Sequence, residues 1–188
     1  MTTAPLRVAT GPERPRLGDA VGPFDDLLAT DGKRYSLSSF HDREVLVVVF
    51  NSNRCPTANA YEERLIALQR DYGPRGVQVI AINSTDPHLY REESYDAMVE
   101  RGREHNFNFP YLKDADQKAA RAFGAECTLH AFVLDRERRL RYRGRIDDSR
   151  NPAKVTVHDL TNAIDDVLAA RPVGVAETVA FGCRLDIA

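Results

Sequence analysis

Residues 45–65 read VLVVVFNSNRCPTANAYEERL, and this stretch decides the fold. Its first six residues are apolar and mostly β-branched, which is typical of a strand buried on both faces, as in a parallel sheet. A helical spacing of apolar residues starts at Pro56, and proline suits a first helical turn because its missing N–H would have no partner there. Cys55 therefore stands where a core strand ends and a helix begins.

Strand and helix patterns alternate along the rest of the chain. The helix that starts at Pro56 is predicted to run to Tyr72. The later predicted elements are a core strand at 77–82, a helix near 89–105, an extended segment at 107–112, a helix at 115–123, two hairpin strands at 131–135 and 140–146, and a helix at about 156–170 capped by Thr156. This alternation predicts an α/β fold in which helices flank a mixed central sheet. The predicted divisions are a flexible N-terminal arm at 1–15, one domain at 16–170 and a C-terminal tail at 171–188.

Composition excludes several classes of function. The chain has 188 residues, of which 43% are apolar, and its formal net charge of −2 gives no basic field for nucleic acid. No apolar run approaches the roughly 18 residues of a membrane span, and we expect no signal peptide. The three cysteines, Cys55, Cys127 and Cys183, are odd in number and far apart, so they form no disulfide framework. We therefore expect a cytoplasmic protein with reduced thiols that binds neither nucleic acid nor a membrane.

The position of Cys55 predicts a reactive thiol. Ligand sites in open α/β sheets lie at the carboxyl ends of strands. Free N–H groups at a helix start stabilise a thiolate over a thiol, so we expect a lowered pKa for Cys55. Arg54 would add positive charge if its side chain turned toward the sulfur. The alternative is a structural cysteine, a small buried side chain at a helix start.

Six motifs follow one another along the chain: VLVVVF-x4-CP, VQVIAINS, FPYLKD, AFGAECT, FVLD and YRGRIDD. Their order resembles the thioredoxin-fold redoxins, and more narrowly the peroxiredoxin-like branch of the alkyl hydroperoxide reductase/thiol-specific antioxidant group. The upstream segment GDAVGPFDDLLATDGKRYSLSSF resembles the N-terminal hairpin of that group. The resemblance covers residues 16–170 and implies a thioredoxin-like fold with an N-terminal β-hairpin extension.

The resemblance also implies a chemistry. In that group the cysteine at the position of Cys55 is peroxidatic: its thiolate attacks a hydroperoxide and becomes a sulfenic acid, and a second thiol then forms a disulfide with it. The implied protein is an antioxidant oxidoreductase without a cofactor, with a peroxide substrate and thioredoxin or a small thiol as reductant. Cys127 is the favoured second thiol, because its loop faces the helix-start cysteine in this fold. Cys183 is the alternative resolving residue, since a C-terminal thiol can reach the site, sometimes that of the partner subunit in a homodimer.

The chain departs from the peroxiredoxin pattern Pro-x-x-x-Thr-x-x-Cys at two positions, where Val48 replaces the proline and Ser52 the threonine. The Ser52 hydroxyl could still donate to the thiolate or the peroxide. Leu129 stands where peroxiredoxins place an arginine and thioredoxins a cis-proline. Arg145 or Arg143, on the neighbouring strand, could supply the missing charge, and the alternative is that both are solvated strand charges.

Two other functions stay open at this point. One is thiol–disulfide exchange of thioredoxin type, which needs an exposed Cys55. The other is a non-enzymatic module that senses redox state, or that binds copper or zinc through Cys127, His130 and Cys55, whose soft and borderline donor atoms suit those metals. Otherwise His130 is expected to be a partly buried residue at a strand start, or a hydrogen-bond donor beside the thiolate. We favour the peroxidase and assign no metal ligand.

Overall fold

The computed structural model describes residues 14–187, and within them seven strands form one mixed sheet. The strands are β1 (Leu27–Ala29), β2 (Arg34–Tyr35), β3 (Val45–Phe50), β4 (Val77–Asn83), β5 (Tyr111–Lys113), β6 (Ala131–Leu134) and β7 (Leu140–Gly144). Their order across the sheet is β2-β1-β5-β4-β3-β6-β7. β3, β4 and β5 are parallel, whereas β1 and β6 join them in antiparallel fashion. The predicted mixed sheet is confirmed.

Helices cover both faces of the sheet. In the described part of the chain they are α1 (Pro56–Asn59), α2 (Glu62–Tyr72), α3 (Tyr95–Glu104), α4 (Lys118–Phe123) and α5 (Asp159–Leu168). The helix predicted at 56–72 is interrupted at residues 60–61, where the hydroxyl of Tyr61 donates to the buried Asp147 at 2.6 Å. The last helix starts after Thr156 because the backbone N–H and the hydroxyl of that residue both donate to Asp148. None of these helices has the length and apolar character that crossing a membrane requires.

β3 is buried along its whole length. Successive side chains of a strand point to opposite faces. The odd-numbered residues of β3 accordingly join a core with side chains of α2, α3 and α5, and the even-numbered residues join a second core with α4. Each buried Val, Leu or Phe side chain contributes roughly 1.5–3 kcal/mol relative to exposure. The carboxyl end of β3 is therefore a rigid support for the residues that follow it.

β1 and β2 form the predicted N-terminal hairpin, which is confirmed. Leu27 lies opposite Tyr35, and the turn between the strands contains Gly32, whose φ of +80° suits glycine. β1 also pairs with β5, so the hairpin extends the sheet. Of the predicted arm, residues 1–13 lie outside the described part of the chain.

The C-terminal segment 171–187 runs back over the edge of the sheet. A parallel bridge joins Glu177 to β7, and an antiparallel bridge joins Arg184 to Cys127 in the loop before β6. That loop lies beside the carboxyl end of β3, with which β6 is paired. The tail thereby carries Cys183 to the point where β3 ends.

Candidate active site

Cys55 is the N-cap residue of α1, and only 1% of it is exposed. Its backbone is extended, with φ −76° and ψ 113°, and its sulfur accepts a hydrogen bond from the N–H of Ala58 at 3.4 Å. α1 has only four residues, so it has little helix dipole, and stabilisation of a thiolate here rests on individual hydrogen bonds. The residue occupies the junction of strand and helix that its sequence context predicted.

The Cys55 sulfur is bonded to Cys183 in a disulfide that spans 128 positions of sequence, with the two Cα atoms 6.0 Å apart. Cys127, the partner that the resemblance favoured, is a free thiol. Burial, aided by the charge of Glu126, raises the pKa of Cys127 to about 11, so this thiol stays protonated near neutral pH. The structure thus joins Cys55 to the alternative partner and not to the favoured one.

Thr128, which follows Cys127, contacts the Cys55 sulfur instead. The chain turns at residues 128–129, and the Oγ1 of Thr128 lies 3.1 Å from that sulfur. A disulfide sulfur carries no hydrogen, so Thr128 is the donor, and its oxygen in turn accepts from the N–H of Cys183 at 2.9 Å. The role of Thr128 was not predicted, because its contact with Cys55 joins residues 73 positions apart in the chain.

Leu129 stands where peroxiredoxins have an arginine and thioredoxins a cis-proline. Its backbone is left-handed, with φ +62°. Its N–H donates to the carbonyl of Phe50 at 2.7 Å and ties the loop to the end of β3. A left-handed backbone costs a bulky residue of order 1–3 kcal/mol, so the surrounding structure must hold it in place. The side chain is buried in the same core as Cys55 and gives the site apolar packing without charge.

A cleft of about 190 Å³ lies over the disulfide. Cys183 is exposed, unlike its buried partner sulfur, and Pro56 lines the cleft from the first position of α1. Arg54 stacks on the ring of Tyr90, with its guanidinium carbon 3.6 Å from the ring centroid. Arg184 lines the cleft from the tail. Among the residues that the structure describes, Arg54 and Arg184 are the cationic side chains that line this cleft.

The arginines of β7 and the loop after it have other partners. Arg145 donates to Asp159 at 2.7 Å, and this hydrogen bond raises the pKa of Arg145. Arg143 donates to Glu177 at 2.9 Å. Neither arginine lines the cleft over the disulfide. The structure therefore does not place the expected substitute for the missing family arginine at the sulfur.

His130 is more deeply buried than expected, with 1% of it exposed. Its Nδ1 accepts from the N–H of Glu126 at 3.3 Å, and its ring stacks on Phe132 with 4.4 Å between the ring centroids. Burial lowers the pKa of His130 to about 4, and the guanidinium groups of Arg14 and Arg143 act in the same direction. The ring is thus neutral near neutral pH and serves the packing beneath the loop.

The metal-binding alternative requires Cys55, Cys127 and His130 to converge. Within residues 14–187 no three His, Cys, Asp or Glu side chains are grouped so as to hold a metal ion. The sulfur of Cys55 is also engaged in the disulfide, whereas a metal takes a free thiolate. Among the described residues, the ligand set of this alternative does not form.

Ser52 contacts a carboxylate rather than the sulfur. Its hydroxyl donates to Glu93 at 2.5 Å, and the N–H groups of Asn53 and Arg54 donate to the same carboxylate at 3.0 Å each. Glu93 is fully buried and lies just before α3. No local pattern marks it in the sequence, because a long connection after β4 brings it under the residues that precede Cys55.

A family model described as Redoxin matches residues 16–164 of the chain. No curated protein matches it. Two solved structures are similar over most of both chains. A hypothetical protein from Sinorhizobium meliloti 1021 is 38% identical, with a TM-score of 0.86, over 94% of this chain and 97% of that one. An uncharacterized conserved protein from Geobacillus kaustophilus is 34% identical, with a TM-score of 0.85, over 90% of this chain and 91% of that one.

More distant structures share the fold. A peroxidoxin from Mycobacterium tuberculosis is 20% identical, with a TM-score of 0.58, over 83% of this chain and 96% of its own. At that identity the likeness speaks for the fold alone. Together with the family match, it confirms the thioredoxin-like fold that the motif order implied.

Proposed function

The chain belongs to the redoxin family of thioredoxin-fold thiol oxidoreductases, and on that premise we propose that it reduces hydroperoxides through Cys55 and Cys183. Redoxins work with thiol reductants and with peroxide or disulfide substrates. The observation that carries the proposal is the disulfide between a buried cysteine at the end of a core strand and an exposed cysteine on the tail.

The reaction has two steps on the protein. The Cys55 thiolate attacks one peroxide oxygen, so that an S–O bond forms as the O–O bond breaks and the departing alkoxide or hydroxide takes a proton. The Cys183 thiol then attacks the sulfur of the sulfenic acid and expels water, which leaves the disulfide. Each cycle thus oxidises two thiols and reduces one peroxide.

Reduction of the disulfide completes the cycle. The thiolate of thioredoxin or of a small thiol attacks the exposed sulfur of Cys183 and releases the Cys55 thiolate, which the hydrogen bonds from Ala58 and Thr128 stabilise as a leaving group. A second reductant thiol then frees Cys183 and departs as a disulfide. The bond is intrachain, so this cycle needs no second subunit. In the cytoplasmic location that we propose, the bond would be transient, as catalytic disulfides there are.

Two hydrogen-bond donors at the Cys55 sulfur support the proposed peroxidase activity, although the arginine of the family is absent. The Ala58 N–H and the Thr128 hydroxyl converge on the sulfur, where they would hold a thiolate and then the oxygen transferred to it. Thiol–disulfide exchange is the second candidate, and the observation that favours it is the exposure of Cys183 at the open side of the cleft.

Stopped-flow mixing of the reduced protein with hydrogen peroxide, followed by mass mapping of the products, tests the proposal. The wild type should lose thiols much faster than free cysteine does and yield the Cys55–Cys183 bond. Cys55→Ser should be inert. Cys183→Ser should react once and stop at the sulfenic acid. Cys127→Ser is the matched control and should behave as the wild type does.

Two outcomes would count against the proposal. Thiol loss at the rate of free cysteine would contradict the peroxidase activity and leave thiol–disulfide exchange as the candidate function. The same variants would then be assayed with a disulfide-bonded protein as substrate. A peroxide-induced bond between Cys55 and Cys127 in the wild type would assign the resolving role to Cys127 instead.

A further inference from the structure

The carboxylate of Glu93 has every acceptor position occupied. Its Oε1 accepts from the Ser52 hydroxyl at 2.5 Å and from the N–H of Arg54 at 3.0 Å. Its Oε2 accepts from the N–H of Asn53 at 3.0 Å and from the side-chain amide of Asn83 at 2.6 Å. A carboxylate offers about four lone-pair positions, so these four donors saturate it. The group is fully buried, and each of these hydrogen bonds is charge-assisted.

Three of the four donors belong to residues 52–54, which connect β3 to Cys55. Because two of them are consecutive backbone N–H groups, the carboxylate fixes the path of the chain and not merely one side chain. We propose that Glu93 is a positioning residue for Cys55: it holds this turn so that the sulfur meets the Ala58 N–H and the Thr128 hydroxyl. The inference rests on the proposed function, since it concerns the reactivity of that thiol.

A second layer of contacts holds Glu93. Asn83 also donates to the hydroxyl of Tyr111 at 3.0 Å, and that hydroxyl donates to the side chain of Asn53 at 2.9 Å. The Lys113 ammonium donates to Asn83 at 3.1 Å and to the backbone carbonyl of Glu93 at 2.9 Å. An uncompensated carboxylate near the site would disfavour a thiolate, and the Lys113 ammonium offsets that charge below about pH 8, the value to which burial lowers the pKa of Lys113. Glu93 can therefore order the turn without that penalty.

Glu93→Gln separates positioning from charge. Glutamine replaces one carboxylate oxygen with an NH₂ group, and in either orientation this group faces a backbone N–H, that of Arg54 or that of Asn53, which then lacks an acceptor. The turn should relax, and the Cys55 sulfur should lose its hydrogen bonds, so its pKa should rise. If Glu93 acted only through its charge, removing that charge would instead lower the pKa of Cys55. The two explanations therefore predict changes of opposite sign in the pKa of Cys55.

The experiment measures the rate of alkylation of Cys55 by iodoacetamide as a function of pH. It uses the full-length reduced chain with Cys127→Ser and Cys183→Ser, so that Cys55 is the one thiol that can be alkylated. Glu93→Gln should raise the apparent pKa by about one unit and slow alkylation about tenfold below it. Glu92→Gln removes the same charge from the exposed neighbouring side chain, and it should leave the profile unchanged.

An unchanged or lowered pKa in a folded Glu93→Gln protein overturns the inference. If that variant fails to fold, Ser52→Ala removes one donor and keeps the carboxylate, and an unchanged profile there overturns the inference equally. Failure of the proposed function looks different: the parent protein would then lose thiols to peroxide no faster than free cysteine does, whatever its alkylation profile. Peroxide reactivity is measured separately, so the two failures cannot be confused.

Discussion

At the scale of single residues, Thr128 forms two hydrogen bonds through one side-chain oxygen. Its hydroxyl donates to the Cys55 sulfur, and the same oxygen accepts from the backbone N–H of Cys183. One side chain therefore contacts the Cys55 sulfur and holds the backbone of Cys183 beside it. A hydrogen bond to a charged group contributes about 1.5–3 kcal/mol, which is enough to alter the pKa of a thiol.

Thr128→Val should remove this hydrogen bond while keeping the shape of the side chain. In the reduced protein with Cys183→Ser, we expect the pKa of Cys55 to rise and the rate of its reaction with peroxide near neutral pH to fall roughly tenfold. The matched control is Thr128→Ser, which keeps the hydroxyl and should react as the parent does. Equal rates in all three proteins would show that the hydroxyl plays no part.

His130 predicts how stability depends on pH. The unfolded chain takes up a proton at this residue near pH 6.5, whereas the native ring takes it up only near pH 4, because it is buried. Between these values the unfolded state binds more protons, so the free energy of unfolding should fall as pH falls, by up to about 1.4 kcal/mol per pH unit. Urea unfolding over this range measures the slope.

The control is His130→Asn, whose side-chain oxygen can accept from the N–H of Glu126 as Nδ1 does. This variant should lose less stability than the wild type over the same pH range. Parallel slopes in the two proteins would mean that His130 is not the group responsible.

Among the elements, the tail decides which thiol reaches Cys55. The N–H of Leu185 donates to the carbonyl of Glu126, and the N–H of Thr128 donates to the carbonyl of Cys183, so the tail runs antiparallel to the loop before β6. This close approach depends on Gly182, because a Cβ there would overlap the oxygens of Thr128. The tail thus docks through its backbone, with the disulfide as one contact among several.

Gly182→Ala should lift the tail from the loop and slow the step that forms the disulfide. After one equivalent of peroxide we expect the sulfenic acid at Cys55 to persist, which trapping with dimedone and mass spectrometry would detect. Gly174→Ala is the control in the same tail, since the nearest atom to its added Cβ is 3.7 Å away. The idea fails if both variants form the disulfide at the wild-type rate.

The elements also show what a single sequence can predict. β3 was predicted residue for residue, because a run of buried β-branched residues is a local signal. The cap expected at Thr156 was wrong, because Asp148 lies close enough to take both of its donors. Glu93 was missed because its role exists only after a distant connection folds under the turn. The neighbours of Cys55 depend on such long-range packing, whereas its position between strand and helix does not.

For the molecule as a whole, the disulfide closes most of the chain into a loop, since its cysteines are 128 positions apart. In the chain-entropy account, closing a loop of that length raises the free energy of the unfolded state by about 5 kcal/mol. Stabilisation of the Cys55 thiolate, which the proposed function requires, would favour the reduced native form and offset part of this amount.

We therefore expect reduction to lower the free energy of unfolding by about 2–5 kcal/mol. Urea unfolding with and without dithiothreitol measures the difference. Cys183→Ser cannot form the bond, so its unfolding midpoint should not respond to dithiothreitol, whereas Cys127→Ser should respond as the wild type does. Coincident wild-type curves in the two conditions would contradict the expectation.

The closed loop also limits how far the oxidised chain can be stretched. A molecule pulled by its two termini transmits force through the sulfur–sulfur bond and bypasses the segment between the cysteines, which are 128 positions apart. At about 3.3–3.6 Å per residue, about 420–460 Å of chain stays slack until the bond is cut. The redox state of one cysteine pair would thus set the contour length of the whole protein, which optical tweezers read one molecule at a time.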